Sequence, residues 1–206
     1  LYPLAYVVGS VRVYVNGVLQ TSSPTVVEGP PIVFSGLTVP ASGNLMLIYE
    51  ARVNQFAPLG ADDSIVNTAA VTASGITAPA TASATVTPDA SGALTITKSI
   101  DPVSVTENGT VTYTFIIQNY GSGAATAEDE VSVRDTFDPI LSDISVSLNE
   151  TALAVTEGYT YDQATGTFVT VPGVITVPAA TFVQDTATGA WTVTPGVTRL
   201  TVTGTL

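Results

Sequence analysis

Neither cysteine nor histidine occurs anywhere in the 206 residues. Their absence removes Ser–His and Cys–His nucleophile systems, imidazole and thiolate zinc sites, thiol redox chemistry and any disulfide framework. Positive charge is scarce as well: Lys98, Arg12, Arg52, Arg134 and Arg199 stand against 17 acidic side chains, for a net charge of −12. So few cations cannot neutralise a phosphate backbone or an anionic lipid surface, which excludes nucleic acid and acidic membranes as main partners. Long apolar runs are also missing. No stretch approaches the roughly 20 residues that a helical span needs, and Leu1-Tyr2-Pro3-Leu4 has no basic leader region, so no membrane insertion is expected. The chain does not open on Met and reads as a mature or excerpted piece of a longer precursor. A lack of Cys is compatible with secretion and leaves stability to packing alone.

What the chain has is Thr, 33 of them, and Val, 29, which favour strands over helices. Hydrophobic residues make up 45% of the sequence, enough for packed cores. Period-two alternation recurs from end to end, and no window keeps an i, i+3, i+4 apolar stripe for three turns, so an all-β fold is expected. The clearest strand is 110–119, with Val111, Tyr113, Phe115 and Ile117 on one face. A second spans 44–53. Val11 to Val15 runs into Asn16-Gly17 and resumes at Val18-Leu19, a type I′ hairpin signal because both central residues need positive φ. Asn108-Gly109 is expected to turn the chain in the same way. The composition shift at Thr87-Pro88-Asp89-Ala90-Ser91-Gly92 suggests a linker, placing one module over 1–88, the linker at 89–93 and a second module over 94–206.

The chain also resembles itself. Val11-Arg12-Val13-Tyr14-Val15-Asn16 matches Ile144-Ser145-Val146-Ser147-Leu148-Asn149, and Leu37-Thr38-Val39-Pro40-Ala41 matches Ile175-Thr176-Val177-Pro178-Ala179. Asn44-Leu45-Met46-Leu47 then matches Arg199-Leu200-Thr201-Val202, which leaves an insertion between Ala179 and Pro195 that includes Trp191. Order is kept throughout. The phase is uneven: 54–88 has no counterpart in the second copy and 94–140 none in the first, so each copy is expected to be incomplete, the first lacking opening strands and the second closing ones.

These residues resemble the tandem conserved repeat domain, domain of unknown function eleven, of bacterial and archaeal surface proteins. That repeat opens with a strand like Leu94-Thr95-Ile96-Thr97-Lys98-Ser99 and a segment like Asp101-Pro102 to Gly109. It continues with strands like Val111 to Phe115, ending at Asn119, and Val131 to Phe137. It closes with strands like Val66-Asn67-Thr68-Ala69-Ala70-Val71 and Ala82 to Val86. The resemblance covers nearly the whole chain. It implies immunoglobulin-like β-sandwich modules in tandem, in a secreted or wall-attached protein with a structural or adhesive role.

Lys98 is the only lysine, and alternation sets it with Leu94, Ile96 and Ile100 on an apolar face. An ammonium aimed at a core is costly unless paired or neutralised. An intramolecular or intersubunit isopeptide bond of the kind found in Gram-positive pilins would neutralise it, with Asp135 as the carboxylate and Asn67 marking the type of position that supplies an acceptor; the plainer alternative is a lysine that snorkels beside a carboxylate. Glu128-Asp129-Glu130 and Asp62-Asp63 are weak calcium candidates that lack the spaced Asp-x-Asp-x-Asp-Gly loop, and solvated acidic turns explain them more simply. Asn108-Gly109-Thr110 and Asn149-Glu150-Thr151 fit the glycosylation acceptor pattern. Trp191 with Tyr159 and Tyr161 has the makings of a sugar-stacking platform, although aromatics filling a sandwich corner are commoner.

No cofactor and no catalytic group is expected. The reading these features favour is a structural subunit of an extracellular filament, pilus or surface array at the cell surface. Self-assembly would proceed head to tail by strand donation, as a homopolymer, with the acceptor edge along Leu200, Val202, Gly204 and Leu206. The alternative is an excerpt of a long cell-surface stalk or adhesin built from tandem repeats.

Overall fold

The computed structural model describes residues 2–60 and 62–206. Strands take up 47% of the chain, and no α-helix forms among the described residues. The chain divides into two compact units, one running through Pro58 and including Ser64–Val86 and Gln184–Ala190, the other built from Leu59–Asp63, Thr87–Val183 and Trp191–Leu206. The first unit contains β1 (Leu4–Tyr6), β2 (Arg12–Val15), β3 (Val18–Leu19), β4 (Thr25–Val27), β5 (Val33–Ser35), β6 (Leu45–Ile48), β7 (Ala51–Val53), β8 (Ile65–Val71) and β9 (Ala80–Val86). The later strands are β10 (Leu94–Asp101), β11 (Thr110–Asn119), β12 (Arg134–Thr136), β13 (Ser142–Leu148) and β14 (Thr151–Ala152). They are followed by β15 (Tyr159–Asp162), β16 (Thr167–Thr170), β17 (Thr181–Gln184), β18 (Trp191–Thr194) and β19 (Gly196–Thr205).

In the second unit a five-stranded sheet runs β10-β11-β19-β13-β14 and a three-stranded sheet runs β12-β16-β15. Their inner faces share one core. Val111, Tyr113, Phe115 and Ile117 from β11 meet Leu200 and Val202 from β19, Phe137 just beyond β12, and Phe168 from β16. The phenyl ring of Phe137 sits at the centre, with ring centroids 4.8 Å from Tyr113, 5.9 Å from Phe168 and 6.2 Å from Tyr161. Strict period two over β11 sends every second side chain into this core, which is why its bounds follow from sequence.

Asn119 closes β11 and is fully buried. Its Oδ1 accepts from the amides of Ala93 and Gly121, both at 2.9 Å, and its Nδ2 donates to the carbonyls of Gly123 at 2.7 Å and Pro178 at 3.1 Å. Every hydrogen-bonding position of the carboxamide is thereby used. Gly123 also donates to the Ser91 carbonyl. Residues 91–93, expected as linker, are therefore fastened to the second unit. The insertion before β19 is the β17–β18 hairpin, and at its base a Cβ on Gly196 would lie 1.9 Å from the Pro178 carbonyl oxygen, so glycine alone fits.

The first unit has smaller sheets, β3-β2-β6, β1-β7, β4-β5 and β8-β9. Its buried apolar residues are Val11, Val13 and Ala57 among those described. A trio of rings, Tyr6, Phe34 and Tyr49, adds to this modest core. The strand expected over 44–53 is broken at Tyr49-Glu50 into β6 and β7, which pair with β2 and β1 respectively.

The sequence repeat reappears in the pairing. Val13 lies opposite Leu47, and 133 and 155 residues further on Val146 lies opposite Val202. Tyr14↔Leu19 corresponds in the same way to Ser147↔Ala152. Asn16 (φ 48°) accepts from the Asn44 amide at 3.0 Å, and Asn149 (φ 47°) accepts from the Arg199 amide at 2.9 Å. Each asparagine opens a turn with a second positive-φ residue, Gly17 or Glu150, as a type I′ turn requires. Asn108-Gly109 differs: Asn108 has φ 61°, but Gly109 is not left-handed and its amide bonds back to the Thr106 carbonyl.

Candidate functional site

β10 is an edge strand of the larger sheet, paired among the described residues with β11 alone. Register sets Ile96 beside Ile117, Lys98 beside Phe115 and Ile100 beside Tyr113, so the apolar face of β10 continues the core face of β11. The continuation is uncovered: Ile117 and Phe115 are each 3% exposed, whereas Leu94 is 40% and Ile96 53% exposed. β12 is likewise an edge, paired with β16 on one side and with no described strand on the other. Its middle residue, Asp135, faces inward beside the buried Phe168.

Lys98 bridges these two edges. Its ammonium donates a hydrogen bond to Asp135 Oδ2 as an ion pair. The same nitrogen lies 4.6 Å from the ring centroid of Tyr113, 5.3 Å from that of Phe137 and 5.6 Å from that of Phe115. The carboxylate and the ring faces both attract the ammonium group. Lys98 keeps 39% and Asp135 20% of its side-chain surface exposed.

Asn67 lies in the first unit, on β8. Pairing with β9 sets Ile65, Asn67, Ala69 and Val71 on one face with Val86, Ala84, Ala82 and Ala80. The opposite face carries Val66, Thr68 and Ala70 with Thr85, Ser83 and Thr81, and Thr68 and Ser83 share a hydroxyl hydrogen bond of 2.8 Å. The hairpin is thus two-faced, one side apolar except for Asn67 and the other rich in hydroxyls. Both sides are exposed, with Val71 at 60% and Val86 at 56%. Two strands with a bare apolar face are marginal in water by themselves.

The acceptor edge expected along Leu200, Val202, Gly204 and Leu206 is corrected. β19 is an interior strand, paired with β11 on one side and β13 on the other, and Leu200 and Val202 are fully buried. Leu206 exchanges backbone hydrogen bonds with Asn108 and Gly109. Chain order located the strand, but order within the sheet is decided by which neighbours cover it. Among the described residues the larger sheet ends at β10 and β14 and the smaller at β12 and β15 instead.

Other candidates resolve structurally. Thr126 and Asp129 form the capping box of a short 3₁₀ turn, Ala127–Asp129, in which Asp129 Oδ2 accepts from the Thr126 amide at 2.7 Å and hydroxyl at 3.0 Å. Those bonds, the amide first, hold its carboxyl below the ordinary range. Asp63 accepts from the Gly60 amide. Among the described residues no three carboxylates converge, Glu128, Asp129 and Glu130 included. The sugar-stacking platform is also corrected: Tyr159 is buried, and Tyr161 is tied to the backbone of Leu141, accepting from its amide at 3.0 Å and donating to its carbonyl at 2.8 Å. Asn149 spends its side chain on the Arg199 amide.

No family model, curated protein or solved structure matches the chain.

Proposed function

We propose that the chain is a structural subunit of an extracellular filament, in which the β8–β9 hairpin of one copy completes the second unit of the next. The observation that carries this reading is complementarity within one sequence: a hairpin with an exposed apolar face, and a unit whose β10 face and β12 edge are uncovered. β8 would pair with β12 and the hairpin would lie over Leu94 and Ile96. Open ladders and bare apolar faces are aggregation hazards that a donated strand removes. Donor and acceptor occupy different surfaces, so the contact is heterologous and propagates head to tail. The shared register of β2–β6 and β13–β19 supports two related immunoglobulin-like modules in tandem, and with them the resemblance to surface-protein repeats. That register equally favours the second reading, a cell-surface stalk whose own chain supplies the covering hairpin. Neither reading uses enzymatic chemistry.

Sedimentation velocity of the 206-residue chain across a concentration series, with the Ala69→Asp variant alongside, separates these readings. The filament predicts a ladder of oligomers that grows with concentration and is lost in the variant, whose unit folds are retained by circular dichroism. A chain that stays monomeric throughout contradicts it and favours the stalk.

A further inference from the structure

A hairpin laid against β12 would bury an unusual set of polar groups. Asp135 faces inward from β12, with Phe168 on its paired side and an open ladder position on the other. Lys98 reaches it from the opposing sheet, among the rings of Tyr113, Phe115 and Phe137. Asn67 is the one polar side chain on the apolar face of the hairpin. If β8 runs antiparallel beside β12 with its apolar face inward, the alternation that points Asp135 to the core allows Asn67 to stand directly opposite it. An amine, a carboxylate and a carboxamide would then share one dry, aromatic-walled pocket, where the ion pair is expensive to retain.

Resting on the filament reading, we infer that Lys98 of one copy and Asn67 of the next become joined by an isopeptide bond, with Asp135 as the proton carrier. Asp135 takes a proton from the Lys98 ammonium, leaving a neutral amine and a neutral carboxylic acid. The Lys98 Nζ then attacks Asn67 Cγ, while hydrogen bonding from the Asp135 carboxyl polarises the carboxamide oxygen. Collapse breaks the Cγ–Nδ2 bond; Nδ2 departs as ammonia, carrying the proton lost from Nζ. A secondary amide replaces the amine and the carboxamide, and no oxidant, metal or cosubstrate is consumed. The product leaves no charge on Lys98, and release of ammonia makes the junction permanent. Excluding water from the pocket is what favours the neutral amine, so the bond forms after docking and not before it.

The test uses the 206-residue chain, concentrated, then examined both in native buffer by light scattering and after denaturation in sodium dodecyl sulfate with intact-mass and peptide analysis. The expected result is a denaturant-resistant ladder in which each junction is lighter by one ammonia and links the Lys98 peptide to the Asn67 peptide. Lys98→Arg and Asn67→Ala each abolish the resistant ladder while native oligomers persist. Asp135→Asn slows its appearance by about a hundredfold or more, the usual contribution of a positioned proton-transfer group. Native oligomers of the unaltered chain that dissociate fully in the denaturant overturn the cross-link and leave the filament standing. Absence of native oligomers removes the filament and the cross-link together. A single-chain species lighter by one ammonia overturns the intermolecular bond.

Discussion

Lys98 on β10 and Asp135 on β12 join one edge strand of each sheet in the second unit by an ion pair. The pair therefore marks the border where the sandwich stops, with a filled core on one side and bare apolar surface on the other. In the dilute monomer it is partly solvated, and exposed pairs contribute about 0.2–1 kcal/mol, with ring contacts adding a similar amount. Lys98→Met, which keeps an apolar stem against Tyr113, should shift monomer stability in urea by no more than about 2 kcal/mol. A loss of several kcal/mol would mean that the edge is already closed.

Asn119 is the opposite case. Its four hydrogen bonds hold Ala93, Gly121, Gly123 and Pro178 around one fully buried carboxamide. Asn119→Ala strands these partners, and with each buried orphan costing about 1–3 kcal/mol the variant should lose at least ~3 kcal/mol in denaturant unfolding. A near-neutral result would show that water replaces the side chain.

Phe137 is 1% exposed and touches three other rings. Truncation to Ala should cost about 3–5 kcal/mol, the range for aromatic deletion in a core. The same change at Phe34, in the smaller cluster of the first unit, should cost less, which a thermal melt resolving the two units would report.

The paired turns make a sharper comparison. Asn149→Ala and Asn16→Ala each remove a side-chain acceptor and place alanine at positive φ, and each should cost about 1–2 kcal/mol. Asn149→Gly keeps the turn and should lose less than Asn149→Ala. Equal losses for Gly and Ala would mean that the left-handed backbone contributes nothing.

Acid and base act on different groups. Asp129 is held below its ordinary pKa chiefly by the Thr126 amide, Asp162 by the Thr165 hydroxyl and then the Ala164 amide, and Asp185 by the Thr188 and Ala187 amides. Depressed carboxylates stabilise the fold above their unfolded value near 3.8 and lose that contribution as pH falls through the lowered folded values. Tyr159 is pushed above 10.0 by burial, so its contribution is present below that pH and lost as pH rises beyond it. Unfolding midpoints followed against pH should therefore fall at both extremes, with Asp162→Asn flattening the acid limb and Tyr159→Phe the alkaline one.

Much of this was legible in the residues. β11 was bounded correctly because Val111, Tyr113, Phe115 and Ile117 alternate without a break, and Lys98 was placed beside a carboxylate because alternation put it on an apolar face. The β15–β16 hairpin was missed although Tyr159-Thr160-Tyr161 and Phe168 carry its signal around Gly166 (φ 68°); two short polar-flanked strands give little period-two contrast. The role of Asn119 was invisible, since a carboxamide at a strand end looks the same whether it faces water or four backbone partners. The acceptor edge was misplaced onto β19 because self-similarity orders strands along the chain, while edges are set by tertiary neighbours.

Hydrogen exchange on the concentrated chain tests the central claim most directly, because amides in an open ladder slow only when a strand arrives. Donation of the hairpin predicts that Ile65–Val71 and Arg134–Thr136 gain protection together as concentration rises, and that Ala69→Asp holds both at their dilute rates. Association that leaves either segment at its dilute rate, or no association at all, contradicts the account.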